Sequence, residues 1–509
     1  MKVNKIMSKD KTVEFSGFRK VVWPVHSFEL KKVLPMAFMM FCVLFNYTIL
    51  RDVKDSLVVT NCGAEAISFI KVYGTLPFAI IFMAIYAKLS TTLSKQQLFN
   101  TMMMVFIIFF AVFGFVLFPL RETLHMSPEN LELWQADYPR AKYVLSLIGN
   151  WSYSIFYIFS ELWGTVGLSV LFWQFANEIT KVKEAKRFYP LFGLIGNVGL
   201  LCSGALLVAV AEYFKDFAPM ERWAISLKWI IVALLISCFG IIYLYNWVCK
   251  NVMTDKRLYN PEESAGAKKK KKVKLSFGES MKVVFGSKYL LFLAVMVLAY
   301  GISINLVEVT WKSQMKLQFS DELSYTKAMG YFSMTTGAAT IVLMIAGANI
   351  LRRFGWYVGA MLTPLMMLIT GSLFFAFIVF RDQASPLLLA VGATPILMAV
   401  IIGWAQNVLT KGAKYSLFDP TKEMAYIPLP DDLRTQGKAA VDGVGGRLGK
   451  SGGAIIQQGL LVGIAGATQI SLAPYVGGIL MFVVIAWLYS ATKLNKEFQK
   501  LSHEQDDVK

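Results

Sequence analysis

Four charged residues inside otherwise apolar stretches are the residues of this sequence best suited to chemistry. Lys54, Glu161, Glu308 and Lys450 each lie within or at the end of such a stretch. A charge at membrane depth is costly, so it usually faces a wet cavity lined by protein and serves a substrate or an ion. Two cations and two carboxylates could pair across such a cavity while it is empty. The cations could then exchange the carboxylates for the phosphates of a substrate, so the pattern predicts a site for a polyanion.

Three of these positions also have a purely structural interpretation. Glu161 could form an intramembrane ion pair that only stabilises a helix bundle. Glu308 could lie at the membrane interface, because Trp311 and Lys312 follow it. Lys450 could extend from a helix end toward the interface. The residues by themselves leave these alternatives open.

The glycine-rich stretch around Lys450 has two interpretations. Gly449-Lys450-Ser451 matches the last residues of a phosphate-binding P-loop, but Val444 stands where that motif requires its first glycine. No apolar strand precedes the stretch, and no soluble segment is long enough for a nucleotide-binding domain. The sequence therefore favours a helix whose small residues allow close packing against its neighbours.

The elements that position these residues are predicted to be apolar helices. Hydrophobic residues make up 56% of the 509 residues and aromatic residues 14%, more than a soluble domain carries. Apolar runs of roughly 20 residues recur along the whole length, which predicts an all-α polytopic membrane protein. The 5 cysteines and 3 histidines show no paired or clustered spacing. We therefore expect no disulfide framework, no metal site and no cofactor.

The formal net charge of +18 has two explanations. Nucleic-acid binding is one, but the basic residues concentrate in loops between apolar runs, which is the pattern of membrane topology. Lys181 and Arg187 follow the fourth run, Arg352 follows the eighth and Lys411 follows the tenth, whereas the intervening loops are poorer in such residues. The positive-inside rule therefore places both termini and the lysine run 268–272 in the cytoplasm.

Twelve membrane spans are predicted from apolar length, in two sets of six. The two sets, 34–248 and 289–491, are separated by a basic cytoplasmic linker at 249–288 and flanked by cytoplasmic segments at 1–33 and 492–509. This organisation predicts two six-helix bundles around a central cavity, as in alternating-access transporters. The predicted spans are about 34–58, 69–89, 98–119, 143–177, 189–211, 224–248, 289–311, 328–350, 356–380, 387–410, 441–467 and 473–491.

Several blocks of the sequence match a known family pattern. They include Leu50-Arg51-Asp52-Val53-Lys54-Asp55, Glu161-Leu162-Trp163-Gly164, Asn305-Leu306-Val307-Glu308 and the long block from Glu423 to Gly453. With these blocks the chain resembles, over almost its whole length, the ATP:ADP antiporter (nucleotide transporter) family of obligate intracellular bacteria and plastids.

The resemblance implies a twelve-span fold related to the major facilitator superfamily and the exchange of cytosolic ADP for external ATP. It also implies that Lys54, Glu161, Glu308 and Lys450 are required for transport, and the sequence departs from the family pattern at none of them. ATP and ADP would be the substrates and membrane lipid the surroundings. No enzymatic activity, nucleic acid, cofactor or obligatory protein partner is implied.

Further residues are candidates for holding the nucleotide. Arg51 and Arg447 lie close to the two lysines in sequence, and a guanidinium suits bidentate contact with phosphate. Asn305 belongs to one of the matching blocks. Four residues near Glu161 in sequence could hold the base by stacking or amide contact, although helix packing is their commoner role. These secondary candidates are Asn150, Trp151, Tyr153 and Tyr157.

Members of the family differ in mechanism, and an alternative function stays open. An empty, cation-rich cavity should resist crossing the membrane while its charges are uncompensated, which favours obligatory exchange. The alternative is a proton-coupled importer of nucleoside triphosphates or other nucleotides, with Glu161 or Glu308 as the proton carrier. The first 33 residues lack the features of a secretory signal or a plastid transit peptide. We therefore expect a bacterial cell membrane more than a plastid inner envelope.

Overall fold

The computed structural model describes residues 23–261, 277–390, 392–464 and 466–506, and for some of these only the backbone. The described residues form α-helices joined by turns, and no β-strand occurs among them. The predicted all-α membrane class is confirmed by these helices and their hydropathy. The predicted lysine run 268–272 lies outside the described residues.

Twelve long helices lie in the described part of the chain, and short helices connect several of them. In the N-terminal half these are α1 Leu30–Cys62, α2 Ala66–Thr92, α3 Lys95–Leu117, α4 Trp151–Ile179, α5 Val182–Tyr213 and α6 Pro219–Asn251. In the C-terminal half they are α7 Lys288–Gln318, α8 and α9 within Glu322–Val379, α10 Pro395–Ala413, α11 Gly446–Gly463 and α12 Ala473–Asp506. The short helices are Ser27–Glu29, Arg121–Leu124, Pro128–Asp137, Pro139–Ala141, Lys142–Gly149, Phe277–Phe285, Arg381–Ala390, Asp419–Ala425 and Asp431–Ala440.

The predicted spans correspond closely to these helices. Among the described residues, 10 helical stretches are long and apolar enough to cross a membrane. One of them, Glu322–Val379, has 58 residues and contains two helices that meet at Gly355, where φ is 77°. Glycine is favoured there because this backbone region is strained for other residues. α11 lies within the predicted span 441–467 but is not among the 10 stretches.

The fourth predicted span, 143–177, needs one correction. The structure places a break at Asn150, whose φ of −107° and ψ of 46° are not helical. A short helix, Lys142–Gly149, precedes the break and α4 begins at Trp151. α4 then changes to π-helical geometry at Gly164–Phe172, and α2 does so at Ile70–Thr75. Such π segments interrupt α-helices frequently at functional sites.

Glycines allow the closest helix contacts. A Cβ added at Gly204 of α5 would lie 2.4 Å from the carbonyl oxygen of Gly330 of α8, so these helices join the two halves almost backbone to backbone. On α11, a Cβ at Gly449 would lie 3.2 Å from the Cα of Gly301, and one at Gly453 would lie 2.7 Å from the Cβ of Asn305. α11 therefore packs directly against α7, as its small residues predict.

The two ends of the helix bundle differ in how the halves are connected. We call the end where α1 finishes the Cys62 end, and the end where α4 finishes the Thr180 end. Polar contacts between the halves concentrate, among the described residues, at the Cys62 end. There Arg222 pairs with Asp321 at 3.4 Å, and the Gln469 N–H donates to Glu65 Oε1 at 3.0 Å. Two further hydrogen bonds of this kind join Ser68 to Gln457 and Tyr143 to the carbonyl of Ala467.

At the Thr180 end the described ion pairs run within each half. Lys32 pairs with Glu184 at 2.7 Å and Arg187 with Glu29 at 2.5 Å, both in the N-terminal half. Lys422 pairs with Asp442 at 3.0 Å in the C-terminal half. The halves are therefore held together by polar contacts at one end, and each is tied internally at the other.

Candidate substrate-binding site

The N-terminal half of the site is built on α1 and α4. The Lys54 ammonium is buried, with 3% of the residue exposed. It lies 2.9 Å from Glu161 Oε1 and 3.0 Å from Asp55 Oδ1, and 3.7 Å above the ring of Tyr157. The Glu161 side chain is 34% exposed, so this pair reaches from the protein interior to a more open region. The structure thus brings two of the four predicted charges into direct contact.

The C-terminal half of the site is built on α7 and α10. Glu308 Oε1 lies 3.1 Å from the Lys312 ammonium, one helical turn away, and 3.4 Å from the Lys411 ammonium of α10. Lys312 is 3% exposed and also pairs with Asp55 Oδ2 at 2.8 Å. Asp55 therefore lies between a lysine of α1 and a lysine of α7. This carboxylate joins the charges of both halves into one continuous network.

Arg51 forms a second connection between the halves. Its Nε donates to Asp52 at 3.0 Å, and its Nη2 donates to the Ser333 hydroxyl of α8 at 2.7 Å. The Ser333 hydroxyl in turn donates to Asp52, which is fully buried. The guanidinium is thus already engaged with an anion and a hydroxyl. Phosphate would have to compete with Asp52 for this group.

The structure bears on two interpretations of the sequence, one at Glu308 and one at Lys411. Trp311 is fully buried and its Nε1 donates to the carbonyl of Val400 at 3.0 Å, and the neighbouring Lys312 is buried as well. Both residues therefore pack inside the protein and do not support an interfacial position for Glu308. The sequence predicts Lys411 in a loop after the tenth span, but the residue lies inside α10 and contacts Glu308. Its burial beside a carboxylate makes it a member of the site.

Asp55, Lys312 and Lys411 belong to the network but are not among the site residues predicted from the sequence. The spacing of Glu308 and Lys312, four residues apart, was a signal, because such residues are neighbours on one helix face. Asp55 follows Arg51 by the same four-residue spacing. Nothing in the sequence connects Lys411 with Glu308, because 103 residues separate them. Only the packing of α10 against α7 brings them together.

Lys71 is a further cation close to the network. It lies on the π-helical segment Ile70–Thr75 of α2, is half-buried, and interacts electrostatically with Glu308 and Glu161. It forms no ion pair among the residues that the structure describes. Lys71 is therefore a cation that an anionic substrate could engage without first displacing a carboxylate.

Three of the four secondary candidates are engaged in local contacts at the start of α4. The Asn150 amide donates to the carbonyl of Ser146, the Trp151 indole donates to the carbonyl of Leu124, and Tyr153 packs edge-on against His125. Tyr153 precedes Glu161 by eight residues, which is about 12 Å along a helix. Tyr157, under the Lys54 ammonium, is the secondary candidate that the structure places in the network.

Asn305 lies where α7 meets α11. The residue is 5% exposed, and its Oδ1 has no hydrogen-bond partner among the described atoms. Its side chain touches the position where Gly453 would carry a Cβ. Arg447 and Lys450 belong to α11, but their side chains lie outside the described part of the structure. The backbone of α11 at Gly449, one residue before Lys450, is in contact with α7.

The P-loop interpretation of the Lys450 stretch is not supported by the local backbone. A helix, Asp431–Ala440, and a π-helical turn, Val441–Gly445, precede α11. A P-loop requires a strand at this place, because the phosphate-binding loop connects a strand to a helix. The glycines here instead serve the contact between α11 and α7.

The helices and the central charge network define a class of protein. The fold is similar to that of a bacterial homologue of the iron transporter ferroportin in an inward-facing state, with a TM-score of 0.56 and 13% identity, covering 94% of this chain and 100% of that one. It is also similar to a D-xylose–proton symporter, with a TM-score of 0.53 and 13% identity over 91% and 97% of the two chains. The chain is an all-α membrane protein with the fold of major-facilitator-like transporters.

Sequence comparison assigns the chain to a family within this class. The model of the TLC ATP/ADP transporter family matches residues 8–498. ADP,ATP carrier protein 1 of Chlamydia pneumoniae is 49% identical over 497 residues, which cover 97% of this chain and 96% of that protein. The protein of the same name from Rickettsia conorii is 46% identical over 96% of this chain and 98% of its own length. The chain belongs to the TLC ATP/ADP transporter family.

Proposed function

We propose that this protein exchanges external ATP for internal ADP across a membrane by alternating access. The observation that carries the proposal is the network of buried lysines and carboxylates joining α1, α4, α7 and α10. The names of its relatives, ADP,ATP carrier proteins over nearly the full length, support the choice of substrates. Lysines paired with carboxylates can exchange those partners for substrate phosphates.

Phosphate binding would follow from competition between anions. In the structure the ion-paired lysines of the network contact Asp55, Glu161 or Glu308. A nucleoside di- or triphosphate offers several negatively charged oxygens at once, and charge-assisted hydrogen bonds to phosphate are strong. Lys54 and Lys312 would then contact phosphate while the carboxylates turn away or share a lysine. Arg51, Arg447 and Lys450 are proposed as further phosphate ligands, and Asn305 as a polar contact.

The base of the nucleotide would lie near Tyr157. This ring already packs against the Lys54 ammonium, and an aromatic face suits stacking with a base. Lys71 would contact the phosphates before the ion-paired lysines do, because it interacts with the network without forming an ion pair in the described structure. Glu161 and Glu308 would act as internal counter-ions of the empty site.

Orientation is proposed from the basic loops. Lys181 and Arg187 lie at the Thr180 end, and the positive-inside rule places that end in the cytoplasm together with both termini. The two six-helix sets, 34–248 and 289–491, would then rock about the charge network, and the Cys62 end would be the external end. The polar contacts between the halves at the Cys62 end fit a molecule closed to the outside.

Transport into proteoliposomes tests this function. Uptake of labelled ATP is measured into vesicles loaded with ADP and into vesicles without nucleotide, each with and without an imposed proton gradient. Exchange predicts uptake that requires internal ADP and does not respond to the gradient. Uptake into empty vesicles that requires only the gradient would instead establish the proton-coupled importer.

A further inference from the structure

Asp55 occupies an unusual position between the two halves. It is fully buried, and its two oxygens pair with lysines of different halves, Oδ1 with Lys54 at 3.0 Å and Oδ2 with Lys312 at 2.8 Å. The Asp55–Lys312 pair is thus a buried ion pair across the interface of α1 and α7.

The other ion pairs between the halves in the described structure are much more exposed. In the Arg222–Asp321 pair the side chains are 30% and 41% exposed, and in the Lys327–Glu212 pair they are 37% and 46% exposed. Exposed pairs contribute little to holding two surfaces together, because water and salt screen them. A buried pair is costly to break, because its separated charges remain poorly solvated. Asp55–Lys312 is therefore the pair that most strongly opposes separation of the halves at the Cys62 end.

Each member of this pair also keeps a second partner. Asp55 remains with Lys54, and Lys312 remains with Glu308 at 3.1 Å. Separation of α1 from α7 would therefore leave both ions with a partner, but it would leave one excess negative charge on Lys54, Asp55 and Glu161 and one excess positive charge on Glu308, Lys312 and Lys411. Asp55 and Lys312 would each lose their second counter-ion. An added anion could replace the counter-ion that Lys312 loses.

We propose that Asp55–Lys312 is a latch that keeps the empty protein closed at the Cys62 end, and that substrate phosphate opens it by taking the place of Asp55 at Lys312. This inference rests on the proposed exchange function. It explains why the protein would not return empty after delivering ATP, because opening the Cys62 end would require breaking the buried pair without a replacement anion. The latch would thereby make Asp55 and Lys312 the residues that enforce exchange.

The decisive variant is Asp55→Asn, which keeps the shape of the side chain and removes the anion. Purified wild type and variant are reconstituted at equal amounts, and labelled ATP uptake is measured with and without internal ADP. We expect the ratio of the two rates to fall at least tenfold in Asp55→Asn, because uptake without ADP rises. Asp419→Asn is the matched control, because Asp419 pairs with Lys414 at 2.6 Å inside one half. It should keep the wild-type ratio.

Lys312→Gln tests the latch from its other side and covers the case in which Asp55→Asn does not fold. This variant leaves Asp55 paired with Lys54, so no buried carboxylate is left without a partner. Because Lys312 is also a proposed phosphate ligand, total uptake should fall in this variant, but the ATP uptake that remains should no longer require internal ADP. An unchanged ratio in Lys312→Gln, or in a folded Asp55→Asn, would overturn the latch. Wild-type uptake that is itself independent of ADP would refute the exchange function instead.

A second measurement reports on opening directly. Ala467 lies at the Cys62 end, is 6% exposed, and its carbonyl accepts from Tyr143 of the other half. Ala467→Cys should react slowly with a membrane-impermeant maleimide when no nucleotide is present. The labelling of the protein without this substitution is subtracted as background. Combined with Asp55→Asn or Lys312→Gln, it should react at least fivefold faster. Equal rates with and without the latch substitutions would contradict the proposal.

Discussion

The two halves of the charge network have opposite composition. In the N-terminal half one lysine, Lys54, is shared by two carboxylates, Asp55 and Glu161. In the C-terminal half one carboxylate, Glu308, is shared by two lysines, Lys312 and Lys411. Among these ion-paired residues the N-terminal set therefore carries one excess negative charge and the C-terminal set one excess positive charge, while Lys71 of α2 adds a cation on the N-terminal side. The Asp55–Lys312 pair joins the two where the excesses meet.

This difference bears on where a polyanion should bind. Phosphate is repelled by the carboxylate excess around Lys54 and attracted by the lysine excess around Glu308. Lys71 belongs to α2 and interacts electrostatically with both Glu308 and Glu161, so it adds positive charge near both sets. We therefore expect the phosphates to lie closer to α7 and α10, with Lys54 reaching them from the other half. A substrate held in this way contacts both halves, as alternating access requires.

The largest effect is expected from Lys54→Ala, because Lys54 is the lysine through which the N-terminal half reaches phosphate. The change also leaves Glu161 and Asp55 with fewer cations, and breaking a buried pair costs about 3–5 kcal/mol. Exchange should fall about 100-fold or more, about 2.7 kcal/mol. The rate is measured at matched protein levels in the membrane.

The double variant Lys54→Ala/Glu161→Gln separates folding from binding. It removes both members of the pair, so it should recover the melting temperature lost in Lys54→Ala but not the exchange activity. Recovery of exchange in the double variant would show that Lys54 only neutralises Glu161. The opposite charge of the two sets would then have no role in phosphate binding.

Lys450→Ala should come next in size. Lys450 follows Gly449, where the backbone of α11 touches α7, so it stands on the half with the lysine excess. We expect at least a tenfold loss of ATP affinity, about 1.4 kcal/mol, with the protein still folded and inserted. Lys450→Arg should retain part of the affinity, because its guanidinium holds its donors in a fixed fork. Normal affinity and exchange in Lys450→Ala would remove this residue from the site.

The two carboxylates provide the most direct test of the asymmetry. Glu308→Gln leaves Lys411 without its carboxylate, whereas Glu161→Gln leaves Lys54 still paired with Asp55. We expect Glu308→Gln to lower the exchange rate about fivefold more than Glu161→Gln, a difference of about 1 kcal/mol. Both rates are measured over a series of ATP concentrations, so that binding and turnover are separated. Equal losses would mean that the two halves contribute alike.

Much of this architecture could be predicted from the sequence, because apolar length is a strong signal for membrane helices. The close packing of α11 at Gly449 agrees with the small residues of that stretch. The sequence predicts that the charges in apolar stretches pair with one another, but it does not say that Lys54 pairs with Glu161. Lys411 was misplaced because its importance depends on the packing of α10 against α7. A lysine near the end of a membrane helix cannot be distinguished by sequence from a lysine that sets topology, because its partner lies on another helix.

The smallest effect is expected at the exposed ion pair between the halves. Lys327 contacts Glu212 across the Cys62 end, and the two side chains are 37% and 46% exposed. Exposed pairs contribute about 0–1 kcal/mol, so Lys327→Gln should change the exchange rate less than about twofold, and the requirement for internal ADP should remain. High salt should weaken this pair further, because screening acts on exposed charges first. The measurement is exchange by wild type and Lys327→Gln at low and high ionic strength. If Lys327→Gln allowed uptake without ADP as readily as Asp55→Asn, then closure would depend on surface charges, and burial of Asp55 between Lys54 and Lys312 would not be what holds the halves together.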